Sequence, residues 1–254
     1  MSARIHDLLE VDTRALLEAN VSAPLWVVES LSAAPFVVVR RGLISPEGVP
    51  IGVRGEGRGQ RWAGTCDPGW IRAALTPAEL LLRFRASLRN RSGSEPLDRD
   101  AALRPWLARV EAIPALRSLA LLASDETWSA FPHAWGPGGS VGFELASGRP
   151  TAGARSDLDL VIYVAERLGV ADAKRLHAAM NCLTSAARSP LSTVDVRVET
   201  PFCGFSLTEY VTKAPTPILL RTVSGVMLGS DPWDGGSCSG ARMGELVSGD
   251  TGRL

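Results

Sequence analysis

The sequence predicts an α/β (α+β) chain built in two parts. A β-rich mixed domain is expected over residues 1–95, a domain with a mixed sheet flanked by helices over 96–235, and a loose tail over 236–254. Three observations lead there. Short apolar runs bounded by turn formers crowd the first third, a sharply signalled helix start follows at Thr76-Pro77, and strand and helix patterns then alternate through the second half.

Taken in order, the runs at 24–28 (Pro24-Leu25-Trp26-Val27-Val28) and 36–40 read as strands. Residues 49–55 and 60–62 read as two strands joined by a glycine-rich turn. Thr76, Pro77 and Glu79 form a capping box with proline at the first helical position, and 80–88 carries the apolar stripe. The polar stretch 90–96 marks the domain boundary. Residues 97–123 are expected to be helical, with interruptions around Pro105 and Pro114. A turn-rich segment at 135–140 leads into a short helix over 141–146. Residues 157–165 give the clearest strand, aliphatic apart from Asp157, Asp159 and Tyr163, as for a strand covered on both faces. A helix at 171–187 and a strand at 192–200 follow. A short helix at 206–213 has Ser206 and Glu209 spaced as a second capping box, and 217–223 pairs with 226–229 in a hairpin around Ser224-Gly225.

The bulk composition is that of an ordinary globular protein, 45% hydrophobic and 21% charged, without a long apolar run. Charges among the first ten residues argue against a secretory signal, so a cytoplasmic location and no membrane partner are expected. Net charge is zero, yet residues 36–91 hold ten arginines against four acids. Lys174 and Lys213 are the only lysines. Arginine suits bidentate contacts to phosphate and carboxylate, although a GC-rich genome produces the same bias. The absence of net positive charge argues against nucleic-acid binding. Cys66, Cys182, Cys203 and Cys238 contain no Cys-x-x-Cys pair and, with His6, His133 and His177, offer no zinc spacing.

The chemistry is carried by acids. Alternate side chains on a strand share a face, so Asp157 and Asp159 project together while Leu158 and Leu160 point into the core. Such a pair is often only a solvated strand end. Ahead of it, however, with sixteen residues between, stands Gly139-Ser140. The glycine lets backbone approach a phosphate, and the hydroxyl and N–H groups at a following helix start can hold its oxygens. Asp195, among β-branched residues of a later strand, is the candidate third acid. This ordered set predicts a nucleotidyltransferase-like site in which Asp157, Asp159 and Asp195 hold Mg2+. Arg54, Arg58 and Arg61 on the glycine-rich hairpin are weaker candidates for substrate contact. His6, His133 and His177 read more readily as packed or exposed residues than as ligands. Trp62, Trp70 and Trp233 read as core.

The run Gly139-Ser140-Val141-Gly142-Phe143-Glu144-Leu145-Ala146-Ser147-Gly148-Arg149-Pro150, followed by Ser156-Asp157-Leu158-Asp159-Leu160, resembles the malonate decarboxylase holo-acyl-carrier-protein synthases. These are phosphoribosyl-dephospho-CoA transferases with a nucleotidyltransferase-type core. Similar stretches are His6-Asp7-Leu8-Leu9, residues 35–41 and 49–54 with Gln60-Arg61, and 217–222 with Pro232-Trp233. The chain departs from the family pattern at Gly136-Pro137-Gly138, where a β-branched and aromatic pair is usual. It departs again at Phe143-Glu144, where tryptophan and glutamine are commoner, and at Arg221-Thr222, which replaces lysine-threonine.

The resemblance implies transfer of the phosphoribosyl-dephospho-CoA group from 2′-(5″-triphosphoribosyl)-3′-dephospho-CoA to a serine of the apo acyl carrier protein of malonate decarboxylase, with release of pyrophosphate. Asp157, Asp159 and Asp195 would hold the Mg2+, with Asp195 either a ligand or the base. Lys213 and Arg221 would neutralise the departing pyrophosphate. The nucleophile belongs to the carrier, which agrees with the lack of a Ser-His-Asp or Cys-His set in this chain. Two other readings fit the same residues: a nucleotidyltransferase using ATP or another nucleotide, and a non-catalytic docking module. A docking surface has no use for clustered acids, which weighs against the second.

Overall fold

The structure is a computed structural model and describes residues 3–46, 48–55, 59–89, 97–186, 191–213 and 216–235. The expected tail at 236–254, the stretch 90–96 and Arg58 lie outside the described residues.

Five strands form the first sheet: β1 (Leu8–Val11), β2 (Phe36–Val39), β3 (Val49–Arg54), β4 (Arg61–Cys66) and β5 (Ile71–Leu75). They pair antiparallel in the order β4-β3-β2-β1-β5. Alternation sets the two faces of this sheet. Leu9, Val11, Val37, Val39 and Ile51 pack against Leu16 of α1 (Thr13–Ala19) and Val27 and Leu31 of α2 (Leu25–Ala33). The expectation of a strand at 24–28 is therefore corrected: these residues open α2. Pro24 stands at the N-cap, and Val27 and Leu31, four apart, bury one helical stripe. Adjacent β-branched residues looked like a strand, but burial on a helical period prevails.

Helix α3 (Pro77–Arg89) starts at the expected box. The Thr76 N–H donates to Glu79 Oε2 at 2.7 Å, and the Glu79 N–H donates to Thr76 Oγ1 at 3.2 Å. Helix α4 (Leu97–Ala112) runs through Pro105 without a break, unlike the expectation, because its packing along α5 (Pro114–Ser124) offsets one missing hydrogen bond. Pro114 does punctuate the chain, at the first turn of α5. A short helix, α6 (Glu126–Ser129), follows.

The second sheet contains β6 (Trp135–Pro137), β7 (Leu158–Tyr163), β8 (Val194–Glu199), β9 (Gly204–Ser206), β10 (Ile218–Thr222) and β11 (Gly225–Gly229), in the order β11-β10-β9-β8-β7-β6. Strands β7 and β8 are parallel and every other pair is antiparallel, so this is a mixed sheet flanked by helices. Helix α7 (Gly139–Ser147) connects β6 to β7, α8 (Val170–Ala186) makes the crossover to β8, and α9 (Leu207–Lys213) follows β9. Two expectations change here. Residues 135–137 form an edge strand, and Gly139-Ser140 is the first turn of α7 itself. Strand β7 is also covered unequally: Leu158, Leu160 and Ile162 enter the helix-backed core, while Asp159 and Tyr163 stand on the opposite face.

The two sheets meet through α3 and α7. Leu81 and Phe84 of α3 belong to the second core, and Leu8, Leu75 and Leu80 pack with Phe36, Val38, Phe143 and Leu145. A Cβ on Gly136 would lie 1.9 Å from the Pro77 carbonyl oxygen, so β6 passes against the start of α3 only because this residue is glycine. No helix among the described residues is long and apolar enough to cross a membrane.

Candidate active site

The acids come together by register. In the parallel β7–β8 ladder Asp159 stands directly opposite Asp195, on strands roughly 4.8 Å apart. Cross-strand partners share a face, so the two carboxylates project from the same side of the sheet. Asp157 precedes β7 by one residue and is exposed. Burial is the largest influence on the Asp159 carboxyl and pushes its pKa up. The charge of Asp195 adds to this, Arg54 acts against it, and Asp157 adds again. Arg197 acts against it as well, so three acids and two arginines bear on a common point.

The start of α7 leans on that point. The Gly138 N–H donates to the Asp159 carbonyl at 2.9 Å, which ties the helix start to β7. Gly139 has φ +54°, and a Cβ there would lie 2.1 Å from Asp159 Oδ2. The glycine therefore serves two needs: left-handed backbone and room for the carboxylate. Ser140 follows in the first turn, where N–H groups lack intrahelical acceptors and favour an anion.

The loop that delivers Asp157 is latched by Glu144, a residue the sequence marked only as a departure. Glu144 is 3% exposed and accepts from the Thr151 and Ala152 N–H groups at 2.9 and 2.8 Å. Arg109 of α4 completes it with a two-pronged pair. Burial alone would raise its pKa, but Arg109 and the two N–H donors hold the carboxyl below the usual range. The Thr151 hydroxyl also donates to the Ser140 carbonyl at 2.8 Å.

The other predicted residues divide. Arg54 ends β3 opposite Arg61 of β4, and its charge reaches Asp159. Arg61 is exposed at the same hairpin. Arg221 lies on β10 opposite Gly204, which is itself opposite Glu199, so Arg221 shares the polar face of the sheet. Lys213 instead donates to Glu209 at 2.8 Å within α9, an internal pair that does not bring it to the acids. His177 lines a cavity of about 490 Å³ between α8, the approach to β8 and α9, on the helix-backed side.

Sequence reasoning missed the rest of the polar face. Arg197 is one alternation beyond Asp195, and Glu199 one beyond Arg197. Glu199 is 3% exposed, with His6 Nε2 at 2.7 Å from Oε1 and the Arg41 guanidinium on Oε2. Burial would raise the pKa of this carboxyl, but His6 and Arg41 outweigh it and hold it low. The Tyr163 hydroxyl donates to the Ile5 carbonyl at 2.6 Å, and Arg4 lies over the Tyr163 ring. The signal was available: period-two counting from Asp195 puts residues 197 and 199 on its face. Their partners in the first domain were not legible from spacing.

Among the described residues no group of three His, Cys, Asp or Glu side chains forms a ready-made metal cage. What the site offers is an open edge of two carboxylates in register with a third beside them, next to a helix start.

Residues 4–77 match the family model described as the phosphoribosyl-dephospho-CoA transferase MdcG N-terminal domain, and 102–232 match that of the C-terminal domain. A protein named phosphoribosyl-dephospho-CoA transferase from Pseudomonas putida (strain W619) is 34% identical over 229 residues, covering 90% of this chain and 94% of the relative. One of the same name from Pseudomonas aeruginosa PAO1 is 34% identical over 90% of this chain and 92% of its own. Another, from Klebsiella pneumoniae subsp. pneumoniae MGH 78578, is 32% identical over 91% and 96%. No solved structure matches.

Proposed function

The chain belongs to the phosphoribosyl-dephospho-CoA transferase family, a family of transferases, and from that premise we propose that it loads the carrier subunit of malonate decarboxylase. The donor is 2′-(5″-triphosphoribosyl)-3′-dephospho-CoA and the acceptor a serine of the apo carrier, with the reaction in the cytoplasm. The observation that supports this most is the register of Asp159 with Asp195, against a glycine that a side chain would block.

The donor set suits Mg2+, which takes one or two protein carboxylates and completes its shell with water and phosphate oxygens. Asp159 and Asp195 would hold it, with Asp157 beside them. When bound it would supply charge neutralisation for the polyphosphate and a lower pKa for the attacking hydroxyl. The chain's own residues do the rest. Backbone N–H groups at Gly139 and Ser140 face the phosphate, and Arg54 brings positive charge from the first domain. Asp195, half exposed, would serve either as a ligand or as acceptor of the serine proton. The serine oxygen forms the new bond to phosphorus as the bond to pyrophosphate breaks.

The test is to incubate protein, apo carrier, Mg2+ and the triphosphoribosyl donor, then weigh the carrier by intact mass spectrometry. A mass gain with this donor and not with ATP is expected, and Asp159→Asn should abolish it. A gain with ATP instead would favour the general nucleotidyltransferase. No gain with either would favour a docking module.

A further inference from the structure

Arg197 occupies the row of the polar face next to the acid pair. Its neighbour across the ladder is Val161, as Asp195 is that of Asp159, and the two rows are roughly 7 Å apart. An arginine side chain covers that distance. Its side chain is 21% exposed and forms a loose ion pair with Asp195, itself 50% exposed, at 3.8 Å, beyond hydrogen-bond reach. No hydrogen-bond acceptor engages Arg197 among the described residues. Nearby arginines are differently placed: Arg41 is bound to Glu199, and the charge of Arg221 acts on Glu209. A guanidinium one row from the acid pair, with no hydrogen-bonded acceptor and only a loose pairing with Asp195, is placed to receive phosphate oxygens.

We infer that Arg197 binds the non-bridging oxygens of the polyphosphate held at Asp159 and Asp195, and so is a substrate-binding residue of this enzyme. The inference rests on the transfer reading for its substrate, but the contact belongs to the phosphate chain alone. The acids meet the cation side of a metal–polyphosphate, and Arg197 meets its anionic side one row further along β8. The planar fork matches two phosphate oxygens at once, which a lysine cannot reproduce.

Inorganic tripolyphosphate with Mg2+ is the probe, titrated calorimetrically into the full chain and into Arg197→Gln and Arg197→Lys variants, each checked by thermal melting. Loss of a charged hydrogen-bonding group predicts at least about tenfold weaker binding for Arg197→Gln, with partial recovery in Arg197→Lys. Arg175→Gln, which removes an exposed pair with Asp172, serves as the control and should leave binding unchanged. Equal affinity in the parent and both Arg197 variants overturns the inference, as does a parent that modifies carrier yet shows no tripolyphosphate binding. Tripolyphosphate binding that depends on Arg197, in a protein that modifies no carrier, upholds the inference and removes the transfer reading. Should Arg197→Gln not fold, the lysine variant carries the same test.

Discussion

At the scale of single residues, the site depends on what is missing from Gly139. Any side chain there meets the Asp159 carboxylate and must hold φ at +54°. Gly139→Ala should cost about 1–2 kcal/mol in strain and displace Asp159. Carrier modification should fall at least about a hundredfold while the circular dichroism spectrum stays that of the parent. An active Gly139→Ala would show that Asp159 does not need its observed position. The shared face of Asp159 and Asp195 was legible because strand alternation is a property of the backbone, whereas Asp157, expected on the same strand, lies one residue before it. Glu199, Arg41 and His6 were not. Their meeting joins residues far apart in the chain, and only the packing of one domain on the other creates it. His6 even adopts φ +70° to reach its partner, a conformation no local pattern announces.

Among the elements, α7 and the loop behind it act as one unit. Glu144 fastens the loop to α7, and Arg109 fastens both to α4. Arg109→Ala leaves a buried carboxylate with its two N–H donors and no cation, which should cost about 2–3 kcal/mol in chemical denaturation. Glu144→Gln together with Arg109→Ala should recover much of that loss, since a neutral side chain no longer needs the cation. Failure to recover would mean that Arg109 acts through packing. The capping box at Thr76 made α3 legible, because its chemistry is local. The helix at 25–33 was misread since Trp26-Val27-Val28 favours a strand until Val27 and Leu31 find the first sheet. Strand β9, three residues long, has too short a pattern to read and exists through its neighbours on both sides.

For the whole molecule, the site is the seam between two sheets, and Glu199 ties that seam. Its carboxyl titrates below the ordinary range in the folded protein. The stability it contributes is therefore fully present above the unfolded glutamate pKa, roughly 4.3, and is lost as pH falls through the lower folded value. Glu199→Ala should destabilise by about 3 kcal/mol at neutral pH and flatten the acid limb of the stability profile. An unchanged acid limb would remove Glu199 from this role. The two-part α/β architecture was legible from the order of signals, but the facing of the sheets was not, since apolar runs do not say which polar face will be covered. In the proposed reaction the carboxylates of β7 and β8 gather a divalent cation around a polyphosphate. Electron paramagnetic resonance of Mn2+ in the presence of the triphosphoribosyl donor measures it directly. The parent should immobilise Mn2+, and Asp159→Asn and Asp195→Asn should each bind it at least about tenfold more weakly; equal immobilisation by all three proteins would contradict the account.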